Sequence, residues 1–351
     1  MEEKNTGYMF ETGVYRPPSE GGSNSLLLRF TRNCPWNKCA FCAMYKTEKF
    51  EKRPVEEIKA DIDAMAAICD EIKEISQRQG ISGISRGAVV EFLGRHPELE
   101  EHPGFSMLLS WLVSGGGTAF LQDANTMIMK TQDLIEALRH LRRKFPSINR
   151  VTTYARSGTI ARKSPEELQS IREAGLDRLH IGLESGDDEI LKQIRKGADS
   201  QVHIQGGRKA VEAGFQVSEY WMPGLGGTER WESHARETAR VLSEINPHYI
   251  RSRPFRPLPG TPMYEQYQEG TLRLLTPTEQ LQELRLTMEN LEVTSRVCFD
   301  HMANYWRGRG GGLLFSHDYE GYKFPEQKAQ VLAFIEDGLQ YGQKEPGFLG
   351  L

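Results

Sequence analysis

No stretch of the 351 residues approaches the roughly 18 uninterrupted apolar positions that a membrane span needs. The start, Met1 to Phe10, is polar and acidic instead of a basic flank ahead of an apolar run. No membrane partner is expected, and a cytoplasmic location is. An excess of one charge is missing as well: 44 Lys and Arg face 48 Asp and Glu, a formal charge of −4, so nothing global holds nucleic acid by counterion release. Low-complexity segments are absent, and with 38% apolar and 26% charged positions the composition is that of a folded protein. Cysteine is scarce, five in all, but it is unevenly spread.

Three of the five fall within nine residues, in the run Thr31-Arg-Asn-Cys-Pro-Trp-Asn-Lys-Cys-Ala-Phe-Cys-Ala-Met-Tyr45. The odd count and the chain length argue against a disulfide framework. Thiolates this close point to a shared metal. Structural zinc takes four ligands, usually as two paired-cysteine knuckles; there is no second knuckle, and Cys69, His96 and His102 are the nearest fourth ligands, without matching spacing. An iron–sulfur cubane held by three cysteines leaves its fourth iron open to a substrate or cofactor. A cluster on Cys34, Cys39 and Cys42 is the expectation, with zinc and three unligated core thiols as the alternatives.

Around the run, strand and helix patterns alternate. Leu26 to Thr31 reads as a buried strand, and Pro54 opens a helix through Val55, Ile58, Ile62, Met65 and Ile68. Strands at 118–122, 150–154, 178–183, 215–221 and 248–251 follow, with helices from Thr131, Ser164, Asp187 and Thr228. Six repeats with right-handed crossovers predict an α/β fold, a parallel sheet curved into a partial (β/α)6 barrel of TIM type. An open doubly wound sheet is the alternative. The expected organisation is a lead over 1–24, a core over 25–262 and a mostly helical C-terminal extension over 263–351. The core carries an insertion at about 80–115, after the first helix. Loops at the carboxyl ends of barrel strands carry active sites, which is where the cysteine run falls.

Together with Gly182-Leu-Glu-Ser-Gly-Asp-Asp-Glu-Ile-Leu-Lys-Gln-Ile-Arg-Lys-Gly197, this run makes residues 26 to 262 resemble the radical S-adenosylmethionine (radical SAM) superfamily. The branch it resembles holds the methylthiotransferases and the oxygen-independent coproporphyrinogen oxidases. The resemblance implies an enzyme with a [4Fe-4S] cluster ligated by Cys34, Cys39 and Cys42. The open iron chelates S-adenosylmethionine by its amino and carboxylate groups, and reductive cleavage gives a 5′-deoxyadenosyl radical that takes a hydrogen atom from the substrate. It further implies Phe41 against adenine, Glu184 accepting from the ribose hydroxyls and Lys196 pairing the methionine carboxylate. Relatives often carry arginine at this last position, and lysine lacks its bidentate fork; a solvated helix face is the alternative for Lys196.

Met222-Pro-Gly-Leu-Gly-Gly227 resembles the segment whose backbone approaches adenine at Met222 and Gly224, and Pro257-Leu-Pro-Gly-Thr-Pro262 the turn that closes the cofactor end. Two departures stand out. Four residues instead of three separate Cys34 from Cys39, and Gln122-Asp-Ala-Asn-Thr126 replaces a glycine-rich stretch. Asp123 then meets the cofactor ammonium, or serves as a turn or helix-capping acid.

The substrate is less legible. Arg156, Tyr220, Arg251 and Arg253 are expected at the barrel mouth, with Arg256 and Trp221 nearby, and the arginines suit a small anionic substrate; salt-bridge duty is the alternative. In the tail, Cys298 and Tyr305 suit a redox or hydrogen-donating role, against a buried core thiol. The resemblance also implies a low-potential electron donor such as flavodoxin or ferredoxin. RNA modification, suggested by Arg139, Arg142, Arg143 and Lys144 on one helix, and a non-catalytic iron–sulfur protein for electron transfer or sensing are the other functions considered.

Overall fold

Leu26, Leu27 and Leu28 are all buried, as a strand covered on both faces requires, and such strands pair in parallel. The structure, a computed structural model, describes residues 7–13 and 25–343. Of the expected 1–24 lead, residues 1–6 and 14–24 lie outside the described residues, as do 344–351 of the extension. The chain divides into two compact units.

The first unit comprises Met1–Pro35, Lys49–Tyr154 and Gln169–Arg178. Strand β1 (Ser25–Arg29) leads to the short antiparallel pair β2 (Thr31–Arg32) and β3 (Glu51–Lys52), which closes the base of the cysteine loop. Helix α1 (Val55–Arg78) buries Ile58, Ile62, Met65, Cys69, Ile72 and Ile75, the three-to-four spacing that gives a helix one apolar face. The insertion forms α2 (Arg86–Arg95) and α3 (Phe105–Val113). β4 (Thr118–Gln122) pairs in parallel with β1, Leu27 opposite Phe120, and β5 (Arg150–Ala155) pairs in parallel with β4; α4 (Thr131–Lys144) links these two.

The second unit comprises Trp36–Glu48, Ala155–Leu168 and Leu179–Leu351. It holds α5 (Ser157–Arg162) and the start of α6 (Pro165–Glu173), where Ser164 and Glu167 bond reciprocally across the first turn. β6 (Arg178–Glu184), α7 (Asp188–Gln193), α8 (Ser200–Glu212), β7 (Gln216–Trp221), α9 (Gly227–Ile245) and β8 (Tyr249–Ser252) continue the alternation. The tail follows with α10 (Pro262–Gln268), α11 (Pro277–Asn290), β9 (Arg296–Cys298), β10 (Tyr322–Lys323) and α12 (Lys328–Tyr341). In this unit the strand order is β6-β7-β8-β9-β10, with β7, β8 and β9 parallel and β10 antiparallel to β9. One apolar cluster, including Leu183, Trp221, Leu242, Ile250, Leu284, Trp306 and Phe315, packs the strands on α9, α11 and α12.

The fold class is α/β with mostly parallel strands, and the six expected repeats are those that begin with β1, β4, β5, β6, β7 and β8. Helices α5 and α8 and the tail strands β9 and β10 are additions that the sequence pattern does not disclose. Among the described residues no helix is long and apolar enough to cross a membrane.

Candidate functional site

All five cysteines are thiols; Cys39 is buried, while Cys34 and Cys42 are half-buried. Cys34 falls in the first unit's stretch of chain, Cys39 and Cys42 in the second's. Among the described residues no three His, Cys, Asp or Glu side chains are gathered into a metal-holding group. The sequence-suggested fourth ligands are occupied elsewhere: His96 sits 3.2 Å from Glu71, His102 lies 2.9 Å from the Phe10 carbonyl, and burial pushes the Cys69 thiol up to about 12. What suits an iron–sulfur cluster is the donor set itself, three soft thiolates with no fourth cysteine beside them in sequence.

In the second unit, the loop carrying Cys39 and Cys42 is tied to the turn that ends α7. The Ala40 amide donates to the Ile194 carbonyl at 2.8 Å, and the Trp36 indole N–H donates to the Arg195 carbonyl at 2.7 Å. The indole fills the space beside Gly197, where a Cβ would lie 2.2 Å from the ring and φ is +73°. Only glycine fits there. Lys38 and Arg156 each lie 5.1 Å from the Trp36 ring centroid, and Arg156 Nη2 donates to the Lys196 carbonyl at 2.6 Å.

This turn aims Lys196 at the end of β6. Its Nζ donates to Glu184 Oε1 at 2.7 Å, with both side chains largely buried, so Lys196 is not on a solvated face. Glu184 has φ +66°, a region costing a non-glycine residue about 1–3 kcal/mol. The Met222 amide donates to the Glu184 carbonyl at 3.0 Å and helps fix the kink. Met222 and Phe41 pack against one small apolar cluster with Ala40, Ile190, Leu225 and Met263. Phe41, Glu184, Lys196, Met222 and Gly224 are therefore assembled in one unit with Cys39 and Cys42.

Asp123 stands in the first unit, 3% exposed. Its Oδ2 accepts from Arg29 Nε at 3.0 Å and from the Asn33 amide at 2.8 Å, whereas Oδ1 has no hydrogen-bond partner among the described residues. Its side chain thus serves the backbone next to Cys34 and caps no helix.

The four residues expected to meet substrate are all engaged within the second unit. Arg156 braces Trp36 and the Lys196 carbonyl, as above. Arg253 lies 4.8 Å from the Tyr220 ring, and the same ring meets His180 edge-on at 5.3 Å. Arg251, fully buried on β8, donates to Ser218 Oγ at 3.1 Å and lies 4.1 Å from the Tyr319 ring centroid. Arg251 and Arg253 each reach Asp300 at 3.2 Å. Burial opposes ionisation of Asp300, but the two guanidinium charges outweigh it and hold the carboxyl below its ordinary value. Two cations against one carboxylate leave a net positive charge. Burial pushes the Cys298 thiol up to about 12, which suits a core thiol.

Sequence reasoning missed three groups. Glu219, on β7, is fully buried and neither carboxylate oxygen has a hydrogen-bond partner among the described residues. Burial, reinforced by the Glu184 charge against that of Lys196, holds its carboxyl well above the ordinary value. Its one signal was a carboxylate inside an otherwise strand-like run. His203, on α8, bonds Ser157 Oγ at 2.6 Å, and burial keeps it neutral. Asp300 gave no signal, because its partners are 47 and 49 residues away in sequence.

Residues 111–238 match the profile described as the radical SAM superfamily. The chain is 23% identical over 111 residues to the tRNA uridine(34) acetyltransferase of Methanocaldococcus infernus, a stretch that is 31% of this chain and 21% of that protein. It is 25% identical over 115 residues to the uncharacterised protein YtqA of Bacillus subtilis, 33% of this chain and 34% of that one. The chain therefore matches about a fifth to a third of the length of these two relatives. Among solved structures, methylornithine synthase (PylB) overlaps 90% of this chain and 70% of its own at TM-score 0.45 and 15% identity. The Methanocaldococcus infernus Elp3 with an N-terminal deletion overlaps 72% and 61% at TM-score 0.45 and 15% identity. The profile match runs from the last turn of α3 through most of α9, a little over a third of the chain, and takes in the Glu184 to Gly197 segment.

Proposed function

We propose that this enzyme binds a [4Fe-4S] cluster through Cys34, Cys39 and Cys42 and uses S-adenosylmethionine to start a radical reaction on a small anionic substrate. The observation that carries the reading is the junction of two motifs about 150 residues apart in sequence: the loop with Cys39 and Cys42 is bonded to the turn that bears Lys196. When bound, the reduced cluster and S-adenosylmethionine supply a 5′-deoxyadenosyl radical that removes a hydrogen atom from the substrate.

The chain's own residues bind and orient. Lys196 exchanges its contact with Glu184 for the cofactor carboxylate, which releases Glu184 to accept from the ribose hydroxyls. Phe41 and the backbone at Met222 and Gly224 receive adenine, and Asp123 Oδ1, which has no partner among the described residues, accepts from the cofactor ammonium. The positive charge left by Arg251, Arg253 and Asp300 favours a carboxylate or phosphate on the substrate, with Tyr220 beside it and Arg156 bracing the Lys196 turn. Residues 25–262 form the catalytic core and 263–351 the extension, and electrons come from a low-potential donor of the flavodoxin or ferredoxin kind. RNA as substrate is the second reading, favoured by the match to a tRNA-modifying relative. Against it, Arg142 is engaged by Asp177, and Lys144 lies 2.8 Å from Asp63.

The test is anaerobic reconstitution with iron and sulfide, then S-adenosylmethionine and dithionite, with chromatographic detection of 5′-deoxyadenosine. Release by wild type and none by Cys39→Ala is the expected result. A protein that assembles the cluster but never cleaves the cofactor, even with cell extract as a source of substrate, would overturn the proposal.

A further inference from the structure

We infer that Glu283, on the tail helix α11, and His234, on α9, are positioning residues for the adenosine half of the cofactor, acting through the backbone that ends β6 and β7. The inference rests on the function proposed above.

Both side chains are buried at 1% exposure or less. The Gly224 amide donates to both Glu283 oxygens, 3.1 Å to Oε1 and 3.0 Å to Oε2. His234 Nε2 lies 3.0 Å from the Met222 carbonyl and 3.4 Å from Glu283 Oε1. A carbonyl only accepts, so Nε2 carries the proton and Nδ1 is the acceptor. Nδ1 then receives the Ser185 hydroxyl at 2.8 Å, with the Thr238 hydroxyl at 3.2 Å. Thr238 Oγ1 in turn accepts from the Gly186 amide at 2.9 Å, and Ser185 Oγ from the Asp187 amide at 3.0 Å. One buried network thus holds Ser185, Gly186 and Asp187 after β6, and Met222 and Gly224 after β7.

Those two segments flank the groups assigned to the nucleoside: Glu184 for the ribose, and Met222 and Gly224 for adenine. They are also joined directly, Met222 amide to Glu184 carbonyl. A carboxyl taken out of water and met by a peptide N–H and an imidazole N–H is a costly way to stabilise a fold. A methionine of similar volume would pack there more cheaply. What it lacks is the acceptor that fixes Gly224, whose φ is +85°. The tail helix therefore reaches into the core to set the shape of the adenine loop.

The experiment uses the full chain, anaerobically reconstituted, and compares two probes. S-adenosylmethionine affinity is measured by equilibrium dialysis, and free methionine, which lacks the adenosine, by its perturbation of the reduced cluster's paramagnetic resonance spectrum. Glu283→Met is expected to weaken S-adenosylmethionine binding by about tenfold or more, with iron content and the methionine effect at wild-type level. Glu283→Gln, which keeps an acceptor for the Gly224 amide, should stay within about threefold of wild type. If Glu283→Met does not fold, His234→Phe, which fills the ring's volume but releases the Met222 carbonyl, carries the same expectation. Equal S-adenosylmethionine affinity in wild type and variant, or parallel loss of both ligands and iron, would overturn the positioning role. A wild type that assembles its cluster yet binds neither probe would overturn the proposed function, and the inference with it.

Discussion

The strands of the second unit meet two different environments. Along one face, Leu183, Trp221, Ile250 and Val297 press against α9, α11 and α12 in an apolar cluster. At the ends of β6 and β7 the same chain turns into Glu184, Ser185, Met222 and Gly224, held by Lys196, His234, Thr238 and Glu283. The first region gains stability from area and close packing. The second keeps buried charge and a left-handed glutamate, which stability alone would not select. The contrast indicates that the fold is secured behind the strands and chemistry is reserved for their ends.

The sharpest break of that contrast is Cys39→Ala, which should abolish 5′-deoxyadenosine release while the melting temperature moves by only a few degrees; calorimetry beside product chromatography checks both. In the opposite sense, Leu284→Ala should cost about 2–5 kcal/mol of stability through the cavity it leaves, with iron per folded chain unchanged. Denaturant titration with iron analysis would expose a leak between the two regions.

Gly197→Ala falls between them. Its methyl group collides with the Trp36 ring and its φ disfavours a side chain, so about 1–3 kcal/mol is expected. The same variant should weaken S-adenosylmethionine binding, and pairing it with Trp36→Ala should restore part of the stability but not the affinity. A double-mutant cycle reads this directly.

The smallest effect concerns pH. Burial, partly opposed by the Gly224 N–H, raises the Glu283 carboxyl from 4.5 to about 8, so the fold favours its protonated form. That contribution is fully present below about pH 4.5 and is lost as pH rises toward 8. Burial lowers His234 from 6.5 to about 4, so its contribution is present above about pH 6.5 and lost as pH falls toward 4. Glu283→Gln should therefore lose less stability than wild type between pH 6.5 and 8. Parallel melting curves over that range would contradict the assignment.

The strand–helix alternation was legible because burial imposes its own periods: continuous apolar residues in β1, and every third or fourth position in α1. Helix α8 was not, because Gly206 and Gly207 sit mid-helix, where each costs about 1 kcal/mol of propensity. A Cβ at 206 would lie 2.6 Å from the Ser157 carbonyl oxygen, and one at 207 would lie 2.6 Å from Ile245. Helix α8 thus gives up propensity to pack closely on α5 and α9. The tail strands β9 and β10 have three and two residues, too short for any period. The cysteine run and the Glu184 to Gly197 segment were legible as motifs. The partners that hold them in place, Trp36 on Gly197 and Glu283 on Gly224, depend on distant residues and could only be seen once the chain was folded.

The position of β9 bears on how the extension can be studied. Arg296, Val297 and Cys298 pair with Tyr249, Ile250 and Arg251, so the tail covers the otherwise open side of β8. A parallel strand with bare amides and carbonyls is a template for any other extended chain. Truncation after α11 would uncover that rim and strip Arg251 of Asp300, so an insoluble product would say nothing about catalysis. Point substitutions that keep the rim covered are the way to dissect this extension.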